Sequence, residues 1–287
     1  MLKFVWRILL YFIGFLIFLE LLSFILIKNF HLSKSIGVKK EFQNVLELTK
    51  SVNADIDSDT LVLGDSVGRQ LYPPGVHPSF VTATGATLVH GNLILLRRAH
   101  KNNPSLKMVR YVITPQSLAL DLRYESVSSS YVKPFLSIYR LGDITSTVWN
   151  FLKAKPMSYA YLFNSGKFLP QDDILFGNGP YRDDYRLSKH SIESIRTMQE
   201  YCEQYGIRFM LVSPPVPDLS SEKYRIKNFR MDLKGHNDIA LTMDKYLNSI
   251  IFLPRNQFAD DLHFKKKDIR QKRKMIRKMM DNSYNKQ

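Results

Sequence analysis

The pattern of hydrophobic and polar positions sets the first part of the chain apart from the rest. The run from Ile8 to Ile27 is apolar except for one charged residue, Glu20. At about 1.5 Å per helical residue this run spans roughly 30 Å, the hydrocarbon thickness of a bilayer. It exceeds the apolar core of a signal peptide, about 7–15 residues, and no small-residue cleavage pattern follows it. We therefore expect an uncleaved membrane anchor over residues 1–33, in which Glu20 either faces a partner subunit or is protonated in lipid.

After a polar connector that is predicted to be helical, Lys34–Val52, short apolar runs alternate with helical stretches. This rhythm is typical of a parallel β-sheet covered on both faces, so we predict an α/β domain over residues 34–287. A region rich in Ser, Tyr, Pro and Gly, about 120–187, is predicted to be an insertion over the C-terminal ends of the strands, where ligands bind in such sheets. The predicted strands are Thr60–Leu63, Phe80–Ala83, Val109–Thr114, Ile207–Ser213 and Ile250–Leu253. The predicted helices are Leu88–Lys101, Lys189–Tyr205 and Asp238–Leu247.

Composition limits the classes of site that the chain can carry. With 287 residues, 45% of them hydrophobic, the chain can bury a full-sized core, and its length fits one large domain with an appendage. Cys202 is the single cysteine, which excludes an internal disulfide framework and a cysteine-based zinc site. The histidines are scattered without metal-ligand spacing. We therefore expect no metal and no cofactor.

The net charge of +15 is concentrated near the C-terminus, where residues 265–278 carry nine basic residues and one acidic residue. Such a segment suits nucleic acid, anionic lipid or an acidic polymer. It is accompanied by no zinc-finger spacing, aromatic RNA-binding pattern or heptad repeat. Ile269, Ile276 and Met280 fall on one helical face, so we predict a terminal helix with a basic outer side, the alternative being a dedicated polyanion site. We expect no nucleic-acid partner.

Charges on either side of the apolar run bear on its orientation. Lys3 and Arg7 precede it, and four lysines follow it between residues 28 and 40. Taken literally, the positive-inside rule would leave the large domain in the cytoplasm, but long domains translocate largely regardless of charge. We expect the domain to lie outside the cytoplasm.

Two short segments at opposite ends of the α/β domain carry candidate chemistry. The first predicted strand runs into Gly64-Asp65-Ser66, which places a serine at the carboxyl edge of the sheet. After the last predicted strand the chain reads Asp260-Asp261-Leu262-His263. An imidazole can take the proton of a serine hydroxyl while a carboxylate orients the ring, so the two segments together predict nucleophilic catalysis. Asp261 is the alternative to Asp260 for the orienting carboxylate.

These two segments, in this order, resemble the SGNH (GDSL-like) hydrolases over roughly Thr60 to Met280. The resemblance implies a three-layer αβα, flavodoxin-like fold with Ser66 as nucleophile, His263 as base and Asp260 as orienting acid. It also implies an oxyanion hole to which the Ser66 amide contributes. The family's second block supplies a glycine amide to that hole, and Gly85, after the second predicted strand, is the matching residue. Gly85 has the alternative role of a plain turn glycine.

The family's third block, Gly-x-Asn-Asp after the third strand, has no match at that place. The strand instead ends in Thr114-Pro115-Gln116, which resembles the Ser-Pro-Gln segment of DltD-like proteins, the membrane-anchored proteins of teichoic-acid D-alanylation. The amide side chain of Gln116 is therefore a candidate third oxyanion donor. A Gly-His-Asn-Asp does occur at 235–238, after the fourth predicted strand, where Asn237 or Asp238 is predicted to be a helix N-cap instead.

The resemblance, which extends to exopolysaccharide O-acetyltransferase-like members, implies a serine esterase or O-acyltransferase of acylated carbohydrate or a cell-envelope polymer. A membrane acyl-donor protein is a further expected partner. The missing third block favours a second class, a non-catalytic scaffold or binding protein of polysaccharide assembly that keeps the fold. A third class is a membrane-tethered binder of polyanions that uses the basic C-terminal segment.

Overall fold

The structure is a computed structural model that describes most of the α/β region. The described residues are 2–28, 40–53, 58–73, 81–85, 89–120, 146, 149–150, 153, 163, 165 and 185–285. The chain divides into two compact units, Met1–Leu46 with Ser128–Asn178, and Glu47–Val127 with Gly179–Gln287. This division groups part of the predicted insertion with the N-terminal helix. Most of the insertion predicted over 120–187 lies outside the described residues.

The first unit is built on one long helix, α1 (Leu2–Lys28). Its segment Lys3–Leu26 has a mean hydropathy of 2.6 and is almost wholly exposed, so it is long and apolar enough to be a membrane anchor or a signal sequence. Glu20 interrupts the apolar surface, and its Oε2 accepts hydrogen bonds of 3.0 Å from the amide and the hydroxyl of Ser165. The carboxylate in the apolar run therefore has a partner within its own unit.

The second unit alternates strands with helices, as the hydrophobic pattern predicts. Its strands are β1 (Thr60–Gly64), β2 (Val81–Thr84), β3 (Met108–Val112), β4 (Arg208–Val212), β5 (Val216–Pro217) and β6 (Phe252–Leu253). Its helices are α2 (Lys40–Asn53), α3 (Ser66–Leu71), α4 (Val89–Asn102), α5 (Pro115–Ala119), α6 (Lys189–Gln204), α7 (Ser220–Asp232), α8 (Asn237–Asn248) and α9 (Lys266–Asn285), with a 3₁₀ turn at Arg255–Gln257. Helix α2 begins inside Met1–Leu46 and ends in the second unit.

The main sheet has four parallel strands in the order β2-β1-β3-β4. Its register places Leu63 beside Tyr111 and Tyr111 beside Leu211. All three side chains are fully buried. The prediction of an α/β fold with a parallel sheet and an N-terminal apolar helix is confirmed.

The fifth predicted strand departs from the expected sheet. Of Ile250–Leu253, only Phe252 and Leu253 form a strand, β6, which pairs in parallel with β5 in a separate two-stranded sheet. Pro214 and Pro215 lie between β4 and β5, and β5 and β6 form a sheet separate from the main one. An apolar run of this length indicates a strand but does not specify its partner.

Both faces of the main sheet are buried. Because successive strand residues point to opposite faces, Val62 faces one side while Leu61 and Leu63 face the other. All three are at most 1% exposed. On the Val62 side the apolar stripe of α9 completes a core cluster. That cluster joins Val62, Val67, Leu71, Tyr72, Val112, Met210, Val212, Phe258, Phe264, Ile269, Ile276, Met280 and Tyr284.

The predicted C-terminal helix with a basic outer side is α9. Ile269, Ile276 and Met280 are buried against the sheet, while Arg270 and Lys274 are exposed. Helix α9 begins shortly after His263, and it packs against β1, the strand that leads to Ser66. This packing is what lets the two ends of the domain meet.

Candidate active site

The candidate nucleophile lies at a tight junction between β1 and α3. Ser66 is the first residue of α3 and follows Gly64, the last residue of β1, by two positions. A Cβ on Gly64 would collide with the carbonyl oxygen of Val112, and one on Gly68 would lie 3.0 Å from the same atom. Only glycine permits this close approach of β1 and α3 to β3. The glycines therefore fix Ser66 against the carboxyl ends of two neighbouring strands.

Asp65 is the buried residue that holds this junction together. Its Oδ1 caps α3 by accepting 3.0 Å hydrogen bonds from the amides of Val67 and Gly68. Its Oδ2 accepts from the amide of Thr114 at 2.9 Å and from the hydroxyls of Thr114 and Ser117 at 2.8 Å each. The side chain thus ties the end of β1 to the segment after β3. Sequence reasoning missed this role, although Thr114 begins the segment that it singled out and Ser117 directly follows it.

Ser66 and His263 meet although 197 positions separate them. The Oγ of Ser66 lies 2.8 Å from Nε2 of His263. On the other side of the ring, Nδ1 lies 3.0 Å from Oδ2 and 3.2 Å from Oδ1 of Asp260. The predicted contact of these three side chains is therefore present, with the order hydroxyl, imidazole, carboxylate that proton transfer from a serine requires.

The carboxylate of Asp260 is held by its own turn. Its Oδ1 accepts hydrogen bonds from the amides of Leu262 at 2.8 Å and His263 at 2.6 Å. Partial burial by itself would raise the pKa of Asp260, but the hydrogen bonds from the His263 and Leu262 amides and from the His263 ring outweigh it and lower that pKa. Asp260 is thereby kept as the charged acceptor of the ring. Asp261, the alternative, is exposed and forms an ion pair with Arg255 instead.

Two of the three predicted oxyanion donors, the amides of Ser66 and Gly85, differ in whether another group already accepts their hydrogen bond. The Ser66 amide, at the start of α3, donates to no acceptor among the described residues. The Gly85 amide donates to the carbonyl of Gly64 at 3.0 Å, one step beyond the ladder between β1 and β2. A Cβ on Gly85 would also lie 3.3 Å from Leu48 of α2, so the residue sits at a close packing contact. Here the Gly85 amide extends the ladder between β1 and β2.

Gln116 lies where the third donor was predicted. It is in the first turn of α5, directly after β3, and is half-buried. Its side chain has no hydrogen-bond partner within the described part of the chain. Thr114, the N-cap of α5, donates its hydroxyl to Asp65, so the segment that carries Gln116 is tied to the residue next to Ser66. The structure therefore puts a carboxamide without a partner among the described residues at the start of α5, directly after the strand next to β1.

The prediction that Asn237 or Asp238 caps a helix is wrong. His236 occupies the cap of α8, no side chain caps the helix, and Asn237 is already helical and exposed. Asp238 forms an ion pair with Arg196 of α6 instead. Tyr246, nine residues further along α8, donates to the carbonyl of Ile113 at the carboxyl edge. Asn237 therefore lies on the order of 13 Å down the helix axis from that edge.

Among the described residues, no group of three or more His, Cys, Asp or Glu side chains has the arrangement of a metal site. No protein-family model matches the chain, and no curated protein matches it either.

Proposed function

We propose that the chain is a serine esterase or O-acyltransferase of the SGNH type, acting on acyl esters of a carbohydrate or cell-envelope polymer. The observation that carries the proposal is the contact of Ser66 Oγ with His263 Nε2 at 2.8 Å, with Asp260 on the other ring nitrogen. The strand order β2-β1-β3-β4 and the sheet buried on both faces support the corresponding three-layer fold. The substrate class rests on the resemblance alone.

The proposed reaction proceeds in two halves through a Ser66 ester. Ser66 Oγ attacks the acyl carbonyl while His263 Nε2 takes the hydroxyl proton, and Asp260 stabilises the imidazolium. Collapse of the tetrahedral intermediate expels the donor alcohol, which receives the proton from His263. The second half repeats these steps with water, for an esterase, or with a sugar hydroxyl, for a transferase.

Charge develops on the former carbonyl oxygen in both halves. The amide of Ser66 and the carboxamide of Gln116 are the proposed donors to this oxyanion, each needed at about 3 Å from it. Gly85 is not carried forward as a donor, because its amide already binds the Gly64 carbonyl. The hole proposed here thus has one backbone donor and one side-chain donor.

The experiment that tests this proposal is labelling of the purified full-length chain with a serine-directed fluorophosphonate. The wild type is expected to be labelled at Ser66, and Ser66→Ala is expected to lose the label. Ser220→Ala is the matched control, because Ser220 is, like Ser66, the first residue of a helix, α7, and its side chain is exposed. Labelling that persists in Ser66→Ala, or a wild type that is never labelled, would contradict the enzyme proposal.

A non-catalytic scaffold is the second candidate, and one observation favours it. The Gly85 amide, which the SGNH resemblance assigns to the oxyanion hole, is engaged in the sheet. A folded wild type that resists the fluorophosphonate yet retains an acylated polysaccharide on an affinity column would support the scaffold instead.

We propose further that α1 anchors the chain and that the domain lies outside the cytoplasm. The exposed, apolar surface of Lys3–Leu26 supports the anchor. The proposed partners are a membrane acyl-donor protein and an acylated polymer. A reporter enzyme that is active only after export, fused after Asn285, is expected to be active. An inactive export reporter together with an active cytoplasmic reporter at the same position would reverse the orientation.

A further inference from the structure

Gln70 forms a closed pair of hydrogen bonds with the segment that carries His263. Its Nε2 donates to the carbonyl of Phe264 at 3.2 Å, and its Oε1 accepts from the amide of Phe264 at 3.0 Å. The carboxamide therefore uses its donor side and its acceptor side on one residue, much as a neighbouring strand would. Two hydrogen bonds to Phe264 fix both the distance and the rotation of this residue relative to Gln70.

The pair lies directly beside the contact between Ser66 and His263. Ser66 and Gln70 are four positions apart on α3, so they share one face of the helix and lie about 5–6 Å apart at their Cβ atoms. His263 and Phe264 are consecutive in the chain. Helix α3 and the His263 segment are thus joined by two adjacent links, one of which is the candidate catalytic contact.

Other contacts of the His263 segment do not set its position on α3 in the same way. Phe264 stacks on Phe258 at 4.6 Å between ring centroids, and Ala259 donates to the His263 carbonyl at 2.7 Å. These contacts close the turn on itself. The packing of Phe264 in the core is non-directional, since burial of apolar surface specifies no orientation. The carboxamide of Gln70 supplies the directional link.

Helix α9 holds Gln70 from the opposite side. Arg273 Nε donates to the Gln70 carbonyl at 2.9 Å. The backbone of Gln70 is therefore fixed by the helix that follows His263, while its side chain is fixed by Phe264. This places the glutamine between two parts of the chain that both adjoin the candidate base.

We propose that Gln70 is a positioning residue, which holds the imidazole of His263 at the distance and angle that proton transfer from Ser66 requires. This inference rests on the proposed function. A displacement of about 1 Å in a catalytic group costs roughly 100-fold in rate. The hydrogen bonds of the Gln70 side chain go to the backbone of Phe264 and not to Ser66 or the His263 ring, so its effect on the reaction is expected to pass through His263.

The test is a double-mutant cycle on the rate of fluorophosphonate labelling of the full-length chain. Gln70→Ala is expected to lower the rate about 10- to 100-fold in the wild-type background. In a His263→Ala background the same change is expected to lower it less than about 2-fold, because the group that Gln70 positions is gone. Gln70→Glu, which keeps the length and the acceptor for the Phe264 amide, is expected to lie between wild type and Gln70→Ala.

Gln199→Ala is the matched control. Gln199 is a half-buried helical glutamine that bonds Glu203, Thr242 and the Asp238 carbonyl on α6 and α8, and its loss is expected to leave the rate unchanged. Melting temperatures of all variants separate a general loss of fold from a local one, and if Gln70→Ala does not fold, the cycle is run with Gln70→Glu.

Three outcomes would overturn the inference, and they are distinct. An equal loss in both backgrounds would make Gln70 merely structural, and no loss in either would give it no role. A wild type that is not labelled at all would overturn the proposed function itself, and the role of Gln70 with it.

Discussion

Two aspartates within the same site, Asp65 and Asp260, show how differently one side chain can be used. Asp65 is 4% exposed, and five donors from two separate segments surround its oxygens. The side chain of Asp260 is 58% exposed, and its partners among the described residues belong to its own turn, Leu262 and His263. Asp65 stands beside the nucleophile in sequence, yet Asp260 is the one that faces the base. Burial and partners, rather than proximity to Ser66, distinguish the architectural Asp65 from Asp260, the orienting acid of the proposed function.

The largest effect is expected from removing the charge that faces the imidazole. Asp260→Asn should lower the rate of Ser66 labelling about 10⁴-fold, because the ring loses its carboxylate partner and the imidazolium its stabilisation. Thermal unfolding should be nearly unchanged, because the residue is exposed. Asp261→Asn, the neighbouring exposed aspartate, is the control and should retain the wild-type rate. An Asp261 variant as slow as the Asp260 variant would remove the distinction between them.

Asp65→Asn should act mainly on stability. An asparagine turns an amide group toward some of the donors that the carboxylate accepts from, at a cost of about 3–5 kcal/mol of unfolding free energy. Denaturant unfolding of the purified chain measures it, with the exposed Asp59→Asn as control. If Asp65→Asn unfolds like the wild type but is not labelled, Asp65 belongs to the chemistry and the contrast with Asp260 fails.

Gln116→Ala extends the comparison to the oxyanion donors. Loss of one donor typically costs about 2.7–4 kcal/mol of transition-state stabilisation, so hydrolysis of an aryl ester should fall about 10²- to 10³-fold. Asn237→Ala should change neither turnover nor unfolding free energy by more than about 0.5 kcal/mol, since its side chain is exposed and caps nothing. A collapse of turnover in Asn237→Ala alone, at unchanged melting temperature, would move the third block to residues 235–238.

The reactivity of the buried Cys202 thiol tests the structural role of Asp65. Burial, helped by the charge of Glu203, raises the pKa of the Cys202 thiol to about 12. Alkylation by iodoacetamide at pH 8 should therefore be slow in the wild type and in Asp260→Asn, because the thiolate is scarce and the side chain is fully covered. Asp65→Asn should be alkylated faster, since it opens more often. Equal alkylation of all three proteins would contradict a structural role for Asp65.

The smallest effect is the pH dependence that Asp260 gives to stability. Its pKa is lowered in the folded chain, so its stabilising contribution is complete above the unfolded-state pKa, about 3.9, and is lost as pH falls through the lower folded-state pKa. Solvent screening keeps the contribution below about 1 kcal/mol. The difference in unfolding free energy between wild type and Asp260→Asn should therefore shrink as pH falls below about 4. A difference that grows on acidification would reverse the sign.

The amino-acid sequence by itself determined the features that depend on neighbouring residues. The apolar run of α1, the four strands of the main sheet and the basic-sided α9 follow from hydrophobic periodicity, which a local window records. The segments that hold Ser66, Asp260 and His263 were found because each is a short motif at a strand end. Their meeting was expected because parallel strands present their carboxyl ends at one edge of a sheet. The strand before Asp260, β6, instead lies in a separate sheet, and the packing of α9 brings His263 to Ser66.

Only the tertiary structure decided which polar groups bind one another across the fold. Thr114 and Ser117 reach Asp65 from about fifty positions away, and Phe264 reaches Gln70 across 194. The engagement of the Gly85 amide and the separate pairing of β6 likewise depend on strand register. Hydrogen bonds act over about 3 Å and in narrow directions, so they are fixed only after packing has set the position of each backbone. Hydrophobic pattern specifies which elements form, and packing specifies which donors and acceptors those elements bring within reach.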